Sequence, residues 1–167
     1  MNNTCRSLVS LEERAADMYM NFALRFGRIP ELRGFWLQMG IKYQQHALLL
    51  GFCGCEDLIL GSLPDNDPIR ALSDLFSGLE DRAEQPDLSL DEAFLIAGEL
   101  ESSSVNSIYS QLVGPVKGTP YILRKKIETL GVDHMQSLIR GARRFQISAQ
   151  TTARLVQLKR QEFRASA

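Results

Sequence analysis

Apolar residues recur through this chain at steps of three and four, and the strict alternation of a half-buried strand is nearly absent. That spacing fixes helices. Leu8, Leu11, Ala15, Met18 and Phe22 form the seam of a first helix, which Gly27 and Pro30 close. The second helix is expected from about Glu31 to Leu50, with Leu32, Trp36, Met39, Tyr43, His46 and Leu50 on one stripe and Gly51 and Gly54 as its stop. A connection carrying Pro64, Pro68 and Pro86 follows, with a short helix expected over Ile69 to Leu79. The third helix starts at the cap Ser89 or Asp91 and runs through Leu112, with Leu95, Gly98, Ser102, Val105, Tyr109 and Leu112 on one face, before Gly114-Pro115. The fourth starts near Thr119-Pro120 and continues at least to Phe145. Short links make antiparallel hairpins and the long middle link crosses the bundle. The expectation is an all-α fold: residues 1–146 as one four-helix bundle of two hairpins joined by a crossover, and residues 147–167 as a C-terminal helical extension or tail.

Composition narrows the function classes. A chain of 167 residues with 44% hydrophobic content can close a core without disulfides or a structural metal. Its net charge of −1 gives no basic footprint for nucleic acid or an anionic membrane, and the basic residues of the tail, Arg154, Lys159, Arg160 and Arg164, read as a solvated helix face. The N-terminus lacks the basic start and apolar run of a secretory signal, and no apolar stretch reaches the roughly 20 residues of a membrane span, so a cytoplasmic location is expected. Cys5, Cys53 and Cys55 are an odd count without CxxC spacing, and they read as reduced thiols. Met18, Met20, Met39 and Met135 scatter across helices as core filler. No Ser-His-Asp set, phosphate loop or HExxH pattern occurs.

The polar residues on the seams carry the functional signal. His46 and His134 are the two histidines of the chain, and each follows a tyrosine across one helix-to-helix turn: Tyr19 lies 27 residues before His46 and Tyr109 lies 25 before His134. A lone core histidine is usually a structural one, hydrogen-bonded to a carbonyl or a tyrosine. Two at matching places in two hairpins form a pattern. Glu12 and Tyr19 are seven apart, which puts both in the first seam.

On these residues the chain resembles the ferritin-like superfamily, in particular its rubrerythrin-like branch. The resemblance rests on Glu12 and Tyr19, on Tyr43-Gln44-Gln45-His46-Ala47, on Ile96-Ala97-Gly98-Glu99 with Tyr109, and on Gly131-Val132-Asp133-His134. It implies a site for two irons between the helices and chemistry with peroxide, oxygen or stored iron. It also implies a rubredoxin-like domain with paired CxxC motifs in most rubrerythrins, which this sequence lacks. Two bridging glutamates of the pattern are replaced, by Tyr43 and by Gly131. In the third helix two registers compete: spacing back from Tyr109 puts Ser102 at the site, whereas matching Ile96-Ala97-Gly98-Glu99 puts Glu99 there. Glu101, about 100° around the helix from Ser102, reads as surface or interface charge.

Two irons bring four or more positive charges, which about four carboxylates balance in an intact site. The expected ligand set here is Glu12, His46 and His134 with Glu99 as a candidate fourth, around one iron or zinc ion or none, with Tyr19, Tyr43 and Tyr109 next to it. Tyr43 can ligate ferric iron or fill the emptied space and hydrogen-bond His46, and filling is the favoured reading. Tyr43 is further expected to pack over Gly131, and Glu12, His46, Ser102 and His134 to share one level of the core. The resulting functional expectation is a rubrerythrin-like protein with a degenerate di-iron site binding at most one ion. The alternatives are an active oxidase or peroxidase that recruits Glu99 or Glu128, and a metal-free helical interaction protein. A homodimer is the expected assembly.

Overall fold

A computed structural model describes residues 3–55, 66–103 and 134–165. Among them the chain is all-helical, with six helices and no strand: α1 (Asn3–Arg25), α2 (Pro30–Cys55), α3 (Asn66–Ala83), α4 (Leu90–Glu101), α5 (His134–Arg144) and α6 (Ala149–Ala165). No described helix is long and apolar enough to cross a membrane.

The first two helices form the antiparallel hairpin that the seams require. Every residue of the α1 seam is buried, and so is every residue of the α2 stripe from Leu32 to Leu50. Phe26 to Ile29 turn the chain through short backbone hydrogen bonds, and Pro30 begins α2 at the position where its missing N–H costs nothing. The stop expected at Gly51 does not operate, since α2 continues to Cys55. A glycine ends a helix only where the backbone turns left-handed, and Gly51 stays helical in open space.

Helix α3 is longer than the short helix expected in the connection after α2, and it lies on α1 and α4. Its apolar face buries Leu72, Phe76 and Leu79, and Arg14 of α1 clamps it through Glu80, Ser73 and Ser77, with the guanidinium 5.5 Å over the Phe76 ring. Cys5 buries its thiol 3.6 Å from the Leu50 carbonyl.

Helix α4 begins as the sequence indicates, with the Ser89 hydroxyl accepting the Glu92 N–H at 3.1 Å. It ends at Glu101 instead of running to Leu112, because the Ser102 and Ser103 hydroxyls donate back to the Glu99 and Leu100 carbonyls and cap the last turn. Val105, Tyr109 and Leu112 lie outside the described residues, as does the start expected for the fourth helix at Thr119-Pro120. Of the span expected for that helix, His134–Arg144 is described and is helical, as α5.

The tail is not a solvated continuation of α5. Gln146 takes a left-handed φ of 55°, the Ile147 N–H returns to the Ala142 carbonyl at 2.9 Å, and the helix stops. Ser148 then caps α6 through Thr151 N–H, while Asp91 at the start of α4 accepts the Ser148 N–H at 3.0 Å. Helix α6 packs on α4 and α5 and buries Leu155 and Leu158. The Leu155 side chain sits against Gly98, where an added Cβ would lie 2.3 Å from it.

Candidate metal centre

Four helices deliver the polar core. Glu12 stands on α1 one turn below Ala16 and two turns before Tyr19, on the face turned to α2. His46 arrives on the inner stripe of α2, Glu101 on the last turn of α4, and His134 on the first described turn of α5. All four are buried, none more than 5% exposed.

The four side chains form two carboxylate–imidazole pairs. Glu12 Oε2 lies 3.3 Å from His46 Nδ1, and Glu101 Oε2 lies 3.3 Å from His134 Nδ1. The two imidazole rings stack face to face, 5.3 Å between centroids and 5° from parallel, which joins the pairs into one cluster. Tyr43 stands over both rings, 5.6 Å from His46 and 5.4 Å from His134. Tyr19 stacks behind Tyr43 at 5.6 Å and donates its hydroxyl to Glu101 Oε1 at 2.6 Å. Trp36 and Phe22 close the apolar side.

Burial governs the electrostatics. Desolvation holds the Glu12 carboxyl above its ordinary value, against the lowering effect of its neighbour His46. Burial, reinforced by the Glu101 charge, pushes the Tyr19 phenol well above the usual range, so it remains a donor. Among the described residues, the Glu12 oxygens and the His134 nitrogens have no polar partner beyond the two 3.3 Å carboxylate–imidazole contacts, which is a costly condition for buried polar atoms.

These orphaned atoms are the test of whether a metal suits the site. A nitrogen and an oxygen 3.3 Å apart stand at the long end of hydrogen-bond reach, and this is also close to the separation kept by two ligands that each bind one ion at about 2.0–2.2 Å with near-tetrahedral angles. The donor set of two imidazoles and two carboxylates suits zinc or ferrous iron. Among the described residues no three histidine, cysteine or acidic side chains already converge as a formed metal site, so the two pairs must close toward each other to share an ion.

The structure brings Glu12, His46 and His134 together as the spacing indicates, and corrects the third helix. Glu99 does not face the cluster: it lies at the surface, paired with Arg82 Nη1 at 2.6 Å, and Arg82 also holds Glu92. Ser102 is the C-cap of α4 and bonds its own backbone. Glu101, read from sequence as surface charge, is the buried carboxylate. A signal for it exists in the spacing, since Glu12 precedes His46 by 34 residues and Glu101 precedes His134 by 33. The signal is approximate: counting back 34 residues from His134 arrives at Leu100 and counting back seven from Tyr109 arrives at Ser102, one position to either side of Glu101. Tyr109, Glu128 and Gly131, with the expected packing of Tyr43 over Gly131, lie outside the described residues. Compared with known proteins, the chain matches no family model, no curated sequence and no solved structure.

Proposed function

We propose that this chain is a ferritin-like metal-binding protein whose degenerate di-iron centre holds a single transition-metal ion through Glu12, His46, Glu101 and His134. The observation that carries the reading is the pair of buried carboxylate–imidazole contacts around two stacked rings, with no further polar partner for the Glu12 oxygens or the His134 nitrogens among the described residues. Charge sets the number of ions. Two carboxylates and two neutral imidazoles neutralise one divalent cation, whereas a second would leave two positive charges in a low-dielectric interior. The site retains one carboxylate and one imidazole on each side and has Tyr43 where the resemblance calls for a bridging glutamate on α2. Replacement carboxylates for an oxidase or peroxidase find no support in Glu99, which is engaged by Arg82.

A second reading, a metal-free helical interaction protein, draws on the exposed apolar side chains Ile41, Leu48 and Phe52 of α2. Metal analysis of protein purified after growth with iron and zinc separates these. One ion per chain, lost in His46→Ala and Glu101→Ala, is the expected result. Two irons per chain would identify a working di-iron enzyme, and none after titration with zinc or ferrous iron would leave the interaction protein.

The homodimer belongs to the same proposal. Ile41, Leu48 and Phe52 form an exposed apolar stripe on the outer face of α2, 48%, 72% and 50% accessible, suited to pairing with its own copy. Sedimentation velocity of the parent and of Leu48→Glu tests it.

A further inference from the structure

Charge is unevenly distributed along a chain whose total is nearly zero. Residues 134–167 hold seven of the 19 basic residues and one of the 20 acidic ones, whereas residues 1–103 hold eight and seventeen. The fold brings part of each excess onto an outward helix face. The exposed side of α5 carries Arg140, Arg143 and Arg144, and the helix has no acidic residue. Helix α6 lies beside it, with Lys159 Nζ donating to Gln136 of α5 at 2.8 Å, and adds the exposed Arg160. On α3, Asp67, Asp74 and Asp81 are all exposed and stand seven residues apart, which sets them on one line opposite the buried Leu72, Phe76 and Leu79. Arg70 stands at the edge of that line. Like charges three and four residues apart on one helix repel each other. The helix C-terminus offsets this for Arg143 and Arg144 in the last turn of α5, but its influence does not extend to Arg140. Among the described residues, arginine ion pairs join Arg14 to Glu80 and Arg82 to Glu92 and Glu99, and neither the three α5 arginines nor the three α3 aspartates take part in one.

We propose that these rows are the two halves of one interface, in which a second copy of this chain seats its α3 aspartates on the α5 arginines and Arg160 of the first. The contact is independent of the metal reading and of the pairing through α2. Because its two surfaces differ it is heterologous: every joined pair leaves one row of each sign open, and association continues into longer chains. The spacings are compatible. Asp74 and Asp81 stand about 10 Å apart along α3, and packed helices such as α5 and α6 lie about 8–10 Å apart, so one aspartate can meet Arg140 or Arg144 while its neighbour meets Arg160. Guanidinium and carboxylate pair through two parallel hydrogen bonds, which fixes register as well as attraction. The exposed Ala149, Ala153 and Gln157 of α6 supply no large apolar anchor for a lipid surface. A nucleic acid would meet the same arginines, but the acidic excess of residues 1–103 repels a polyanion and attracts the arginines of another copy.

The test is sedimentation velocity of the full chain carrying Leu48→Glu, which removes the α2 pairing, at about 50 mM and about 500 mM salt. The expected result is a sedimentation coefficient that rises with protein concentration at low salt and stays at the monomer value at high salt. Neutralising either row, by Arg140→Gln with Arg144→Gln or by Asp74→Asn with Asp81→Asn, should weaken association by roughly tenfold or more. Mixing the two neutralised proteins should give a one-to-one complex that grows no further, because each keeps one intact row. No salt-sensitive association overturns the proposal. So does association that survives in both neutralised proteins, or a mixture that associates no more than its components. Binding of a short DNA duplex that is lost in the arginine variant, from a parent that stays monomeric throughout, overturns it in favour of a nucleic acid on the same face. If either double variant loses helicity by circular dichroism, Arg140→Gln and Asp74→Asn alone take its place under the same criteria.

Discussion

Tyr19→Phe in the metal-free protein tests the register of α4 through energy. The hydroxyl it removes joins α1 to α4, donating at 2.6 Å to Glu101 Oε1, with both residues at most 1% exposed. Hydrogen bonds to charged groups contribute about 1.5–3 kcal/mol, and the Phe ring keeps the stacking on Trp36 and Tyr43. At about 2–4 °C per kcal/mol for a chain of this size, the melting temperature should fall by roughly 3–12 °C. Glu99→Gln breaks a contact between side chains that are each more than a third exposed, 36% and 39%, and solvent screening limits its cost to under about 1 kcal/mol. Urea unfolding followed by circular dichroism, on Tyr19→Phe, Glu101→Gln and the double variant, gives the coupling directly. It should reach at least about 1 kcal/mol for Tyr19 with Glu101 and stay within about 0.5 kcal/mol of zero for Tyr19 with Glu99. No coupling between Tyr19 and Glu101, or a larger loss from Glu99→Gln than from Tyr19→Phe, would refute the placement of Glu101 in the core.

Two glycines should respond to alanine with opposite signs. At Gly141 an added Cβ lies 2.7 and 2.8 Å from Phe35 ring carbons, so Gly141→Ala should destabilise by about 1–3 kcal/mol, whereas Gly51→Ala meets nothing within 4 Å and should stabilise by roughly 0.5–1 kcal/mol in the same urea titration. Leu155→Ala should lower stability by about 2–5 kcal/mol if α6 is part of the core; a change below about 0.5 kcal/mol would make α6 a loose appendage. Burial holds the Glu12 carboxyl above its ordinary 4.5, so over the window from about 4.5 up to its folded value the folded chain holds a proton there that the unfolded chain has released. Metal-free stability should therefore fall as pH rises through that window, Glu12→Gln should flatten the fall, and an unchanged slope in Glu12→Gln would contradict the assignment.

The hairpin of α1 and α2 is legible in the sequence because each helix has a single inward stripe whose phase nothing else disputes. Leu8 to Phe22 and Leu32 to Leu50 sit at the helical period and are buried residue for residue. Helix α4 has no such phase. Leu95, the residue chosen for its inner face, is only partly buried, while Ala93, Phe94, Ile96, Ala97, Leu100 and Glu101 are fully buried. A helix buried over most of its circumference gives little direction for its polar residues, and on α4 the face that escapes burial is the narrow one of Asp91, Glu92, Leu95 and Glu99, because a second layer covers the rest. That layer includes α6, whose Leu155 meets Gly98. Reading the tail as solvated and reading α4 as one-faced are thus the same error, since the missing cover would have shown that α4 has two buried sides.

The same argument explains why one carboxylate of the centre was visible and the other was not. Glu12 lies on a helix with exposed Glu13 and Asp17 around it, so an acid in phase with the apolar seam stands out against acids that are not. Glu99 and Glu101 both lie on α4, and no apolar stripe there separates them. Their fates are decided by partners outside the helix: Arg82 of α3 draws Glu99 outward with 2.6 Å contact, and Tyr19 of α1 holds Glu101 inward at the same distance. Arg82 reaches from the crossover, whose position the periodicity of α4 cannot reveal. The histidine spacing does not reveal it either: counted back from His134, the 34 residues that separate Glu12 from His46 arrive at Leu100, one position before Glu101, and one position on a helix is a turn of about 100°.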